Sequence, residues 1–127
     1  MVVESGILNQ LVLLLGDHNS AVQARAFQLL SSSELQISLK QLVDVGIIAK
    51  LLKVLSTGTL LKPAICEMAF DLLSKLNDDF HTLIISQGAI EAAISVLQHP
   101  SATTQMMLRA LEFLELLAGT HICFYYH

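Results

Sequence analysis

The chain has little of what usually marks a protein's chemistry. Its 127 residues hold no tryptophan, two tyrosines, five phenylalanines, two prolines and two cysteines. Cys66 and Cys123 are too few and too isolated for a disulfide scaffold or a CxxC site, and Cys66, in "PAICEMAF", reads as a small core hydrophobe. Charge is sparse too, at 14% against 54% hydrophobic residues, a balance that excludes disorder. Seven scattered Lys and Arg face eleven Asp and Glu, a net charge of −4, so there is no basic stripe to neutralise phosphates and nucleic acid is excluded as a partner. The longest apolar runs are five residues, as in "LVLLL", far short of a membrane span. The opening "MVVESGILNQ" has an acidic residue and no basic n-region, so no secretory signal is read and a cytoplasmic protein is expected.

Catalytic signatures are missing as well. There is no Walker loop, GxGxxG, HExxH or GxSxG. Of the five histidines, His18, His81, His99, His121 and His127, only His121 has a neighbour at ligand spacing, Cys123, and two ligands make a poor metal site. Ser31 to Ser33 read as a helix end and a cap rather than as nucleophiles, and Met106 and Met107 as packing. The expectation is a protein that is not an enzyme and that uses no cofactor or metal.

What the sequence does have is a period. Gly6, Gly46 and Gly88 stand 40 and 42 residues apart and open "GILNQLVLLL", "GIIAKLLKVL" and "GAIEAAISVL". Two, six and nine residues past each glycine come Leu8, Val12 and Leu15; Ile48, Leu52 and Leu55; Ile90, Ile94 and Leu97. Those offsets fall on one face of a 3.6-residue helix. Turn residues follow, then a second helix in fixed register: "AFQLL" from Ala26, "AFDLL" from Ala69 and "ALEFL" from Ala110. The recurring alanine lets neighbouring helices approach closely. Ser20 with Gln23 forms a capping box for the first of these, and Pro63 suits an early helical turn. A shorter helix precedes the second and third glycines, boxed by Ser33 with Gln36 in one case and opened by Asn77, Asp78 and Asp79 in the other. The glycine between short and long helix is expected in a left-handed conformation, where the chain departs at a steep angle.

Three helices per period of this length, each with its glycine corner, resemble armadillo repeats, and "LNDDFHTLIISQGAIEAAISVLQHPSATTQMMLRALEFLELLAG" is the best match. The resemblance covers residues 5 to 119. It implies an all-α fold, a right-handed α-solenoid of about three repeats over 1–119 (5–44, 45–86 and 87–119), with a non-repeat tail at 120–127 that follows a helix stop at Gly119. It also implies a groove lined by the third helices, where members of the family bind extended peptides. The Trp and Asn ladder of nuclear-import receptors is absent, since Gln28, Asp71 and Glu112 stand at the Trp positions and Ser32, Lys75 and Leu116 at the Asn positions.

The groove candidates are therefore Gln28, Ser32, Glu67, Asp71, Lys75 and Glu112. Singly they read as a solvated helix face, with Asp71 and Lys75 an i,i+4 pair; together they read as a mildly acidic groove for a basic or polar segment of a protein partner. The function expected is a protein–protein interaction scaffold. The pattern equally fits a structural solenoid segment or a truncated isoform of a larger protein, such as the helical tail of a kinase or scaffold. At the ends, Leu8, Val12 and Leu15 on one side and Leu111, Leu114 and Phe124 on the other are expected to be exposed and to drive self-association.

Overall fold

The computed structural model describes residues 5–31, 37–57 and 62–125. Among them it is all-helical: α1 (Ser5–Leu14), α2 (Ser20–Ser31), α3 (Leu39–Asp44), α4 (Ile47–Thr57), α5 (Pro63–Ser86), α6 (Ala89–Gln98) and α7 (Thr104–Tyr125). Among the described residues no single helix is long and apolar enough to cross a membrane.

Local chemistry sets the helix ends, and in several places it differs from expectation. The cap of α2 is Asn19 rather than Ser20: its Oδ1 accepts the N–H groups of Ala21 and Val22 at 2.9 and 3.2 Å. Gln23, freed from the Ser20 box, donates through Nε2 to the Leu15 carbonyl at 2.7 Å and ties α2 to the end of α1. A capping box does open α3, but it is Ser38 with Gln41, at 3.1 and 2.9 Å. Ser33 and Gln36 lie outside the described residues. Thr103 caps α7 by accepting the Met106 N–H at 3.2 Å.

Gly46 and Gly88 have φ of 82° and 101°, the left-handed region that glycine enters without strain. Beyond Gly88, α6 leaves α5 at 85°, the steep departure expected of this corner. Gly6, by contrast, lies in the first turn of α1. Ahead of Gly88 a short helical segment does precede the corner, set off from the helix before it by a kink at Phe80 (φ −127°, ψ 28°) rather than by a loop. The two segments are continuous in α5, Pro63–Ser86, and Asn77, three residues before the kink, is buried. At the C-terminus Gly119 does not stop α7, which continues to Tyr125. The segment expected as a non-repeat tail is thus helical through Tyr125, and Tyr126 and His127 lie outside the described residues.

Helices that hold the same place in the sequence period pack on one another. One row is α1 against α4 and α4 against α6; the other is α2 against α5 and α5 against α7. Ala26, Ala69 and Ala110 are all buried in the second row, where their small side chains permit close approach. Phe70 and Phe113 join α5 to α7 with ring centroids 5.2 Å apart and a tilted geometry. Leu8, Val12 and Leu15 are buried rather than exposed, because the face of α1 that carries them is the one turned to α2 and α4. Each such leucine or valine contributes roughly 1.5–3 kcal/mol by leaving water.

Candidate interaction surface

The row α2–α5–α7 has an inner and an outer face. Inward go Phe27 and Leu30 on α2, Phe70 and Leu73 on α5, and Phe113 and Leu117 on α7. The residues between them point out: Gln28, Glu67, Asp71, Lys75 and Glu112 are all exposed. Glu67, Asp71 and Lys75 follow one another at four-residue steps and form a stripe along the first part of α5. Ser32 lies outside the described residues.

The structure pairs these groups differently from the helix-local expectation. Asp71 takes Arg109 of α7 as its partner, and not Lys75. The same guanidinium reaches Glu112 at 3.2 Å, so one cation serves two of the groove acids. Arg109 is only 25% exposed, against 57% for Asp71, and its Nε is buried without a hydrogen-bond partner. Gln28 accepts from Arg25 Nη1 at 3.0 Å. The local acidity is therefore reduced where α5 meets α7. Arg109 is the residue that sequence reasoning missed. Its spacing from Glu112 carried a signal, three residues along a helix, but its contact with Asp71 spans 38 positions and requires the two helices to be packed.

Cys66 lies directly beneath this stripe and is buried, as expected of a small hydrophobe. Burial pushes its thiol up to about 11, with Glu67 acting in the same direction and Arg109 against it. It is a protonated, unreactive thiol at neutral pH.

Two concavities lie elsewhere. One, of about 650 Å³, is apolar and bounded by the end of α5, the start of α6 and α7, with Ile85, Ile90, Leu114 and Leu117 in its walls and His81 at its edge. His81 Nδ1 lies 2.9 Å from Asn77 Oδ1, a bond that turns the ring toward its own helix. The other, of about 340 Å³, is more polar and runs between α4 and α6, where Lys53, Ser56, Glu91 and Ser95 contribute to its lining. Among the described residues no three His, Cys, Asp or Glu side chains are grouped to hold a metal ion. The side chains of His121 and Cys123 lie outside the described residues. The histidines of the two corresponding turns do local work or none: His99 Nδ1 accepts the Ser101 N–H at 3.0 Å, and His18 is exposed.

The chain matches no family model, no curated protein and no solved structure.

Proposed function

We propose that the chain is an armadillo-like α-solenoid of about three repeats that acts as a non-catalytic interaction module, taking an extended basic or polar segment of a protein partner along the outer face of α2, α5 and α7. The observation that carries this reading is the recurrence of packing: helices one period apart stack in two rows, and the middle helix of the second row sets the polar series Glu67, Asp71 and Lys75 outward. A surface assembled from like helices presents like positions at regular intervals, which suits a partner that is itself extended. Glu67 and Lys75, at the two ends of the α5 stripe, would set the partner's charge register.

A second reading has its own observation. Arg109, mostly buried and shared by Asp71 and Glu112, fits a group that fastens α7 to α5 in a purely structural segment.

One set of variants separates the two. The probe is a fluorescent peptide of alternating lysine and serine, with affinity read by anisotropy at low and high salt. The module reading expects Glu67→Lys to weaken binding several-fold with no change in melting temperature, and the loss to shrink as salt rises. The structural reading expects the double variant Asp71→Lys, Glu112→Lys to lower the melting temperature by leaving Arg109 among like charges, and no variant to alter binding. Peptide affinity that is the same in all variants, with no variant changing the melting temperature, would count against both readings and place the interface elsewhere.

A further inference from the structure

The period of the sequence allows each exposed apolar residue to be compared with its equivalents one unit along. One residue past the glycine stand Ile7, Ile47 and Ala89, with relative exposures of 50%, 0% and 0%. Two residues past it stand Leu8, Ile48 and Ile90, at 1%, 1% and 40%. The first position is open only in the first unit and the second position only in the last. The next helical turn repeats the pattern. Leu11 is half-buried whereas Leu51 and Ala93 are buried, and Val12 and Leu52 are buried whereas Ile94 is exposed.

The second row behaves alike. Val22 and Leu29 of α2 are exposed, but their equivalents Ile65 and Leu72 on α5, and Met106 and Phe113 on α7, are buried. Phe27 and Leu30, and Phe70 and Leu73, are buried; Leu111 is exposed and Leu114 half-buried. Every unit thus has a back face and a front face, and the chain uses the front-to-back contact twice, where α1 and α2 meet α4 and α5, and where these meet α6 and α7. One back face, with Ile7, Leu11, Val22 and Leu29, remains open. One front face, with Ile90, Ile94, Leu111 and Leu114, remains open as well, and the apolar cavity of about 650 Å³ lies within it.

We infer that these two faces bind each other between copies, the front of one chain seating on the back of the next. The occupant is a second copy because the two open faces are the same two surfaces that already meet twice inside the chain, so the intermolecular contact continues an interface the sequence encodes. The contact is heterologous: each copy uses a different face, and nothing in a front-to-back translation closes it. The product is an open row of copies that lengthens with concentration. This inference concerns the ends of the stack and does not depend on what the polar stripe binds.

The test uses the full chain and two variants at exposed positions, Ile7→Glu on the back face and Ile94→Glu on the front. Circular dichroism first establishes that both retain the wild-type helix content. Sedimentation equilibrium over about two decades of concentration then reads the mass. The wild type is expected to grow continuously beyond a dimer, and each variant alone to remain at the mass of one chain. Mixed in equal amounts, the two variants still offer one intact front and one intact back, and are expected to form a dimer that grows no further. A wild type that stays monomeric overturns the inference, and leaves the faces to further repeats or another protein. It is also overturned if either variant dimerises alone while the mixture forms no mixed pair, since that means like faces pair.

Discussion

Val45 and Gln87 stand before the two left-handed glycines in nearly the same backbone conformation, φ −94°, ψ 9° and φ −89°, ψ 1°. Their hydrogen bonds match too: Val45 and Gln87 donate to the carbonyls four residues back, at 3.3 and 3.0 Å, and Gly46 and Gly88 to those three residues back, at 3.0 and 3.1 Å. Upstream of these matching corners the chain differs. One corner is reached through α3, six residues with a complete capping box at Ser38 and Gln41. The other is reached along α5, whose twenty-four residues comprise two helical segments joined by a kink at Phe80. A corner and the helix that feeds it are thus separable. The corner needs positive φ at one position; the feeding helix starts from a capped loop at one corner and from a kink at the other. Ser38 is exposed and caps α3, whereas Asn77 is fully buried and bonded to His81, and the second helical segment of α5 starts three residues later from the Phe80 kink.

The sharpest way to break this comparison is at Asn77. Were it a surface cap, Asn77→Asp would be neutral or favourable, since both residues cap well. Because it is buried, the variant is expected to lose about 2–4 kcal/mol in denaturant unfolding, the scale of an unpaired charge brought into a core. Next in size are the corners themselves. Gly46→Val and Gly88→Val are each expected to lose more than about 1 kcal/mol, and Gly46→Asn distinctly less, because asparagine tolerates positive φ. A clash of the added Cβ is not the cause: at Gly46 it would meet nothing within 4 Å, and at Gly88 only Glu91 Oε2 at 3.6 Å. Equal tolerance of valine and asparagine would mean that φ does not govern the site. The smallest effects compare the two helix starts. Ser38→Ala is expected to cost about 1 kcal/mol and Asp78→Ala less than about 0.5 kcal/mol, as measured by thermal melts. Similar losses at both would indicate that Asp78 caps the second part of α5 after all.

The glycine corners were legible in the sequence because glycine meets their requirement for positive φ better than any other residue, and the spacing of Gly46 and Gly88 then carried the helices after them. Helix starts were less legible. The stretch from Ser33 to Gln41 contains two Ser-x-x-Gln patterns, and Asn19 and Ser20 are adjacent residues that both cap well; a shift of one or a few residues decides the outcome, and the packing of the following helix makes that choice. The same limit applies to α1, where Ile7, Leu8, Leu11 and Val12 are all apolar and only the position of α4 determines which pair is covered. The candidate surface was half legible. Its exposed positions follow from helical register, but Arg109, which neutralises two of its acids, reaches Asp71 through tertiary packing that no local pattern contains.

Cys66 gives the fold a clock. Its sulfur is sealed where α5 packs in the second row, so a thiol reagent can reach it only while that packing is open, and its labelling rate counts those openings. With Cys123 replaced by serine the reading comes from one site. The thiol also couples opening to alkalinity. The unfolded chain gives up this proton from about 9, while the native thiol holds it to about 11. Opening therefore releases a proton as pH rises through that window, and each step upward favours the open form. A row of copies that sealed both ends of the stack would slow the clock, so one buried sulfur would report on assembly taking place at surfaces it does not touch.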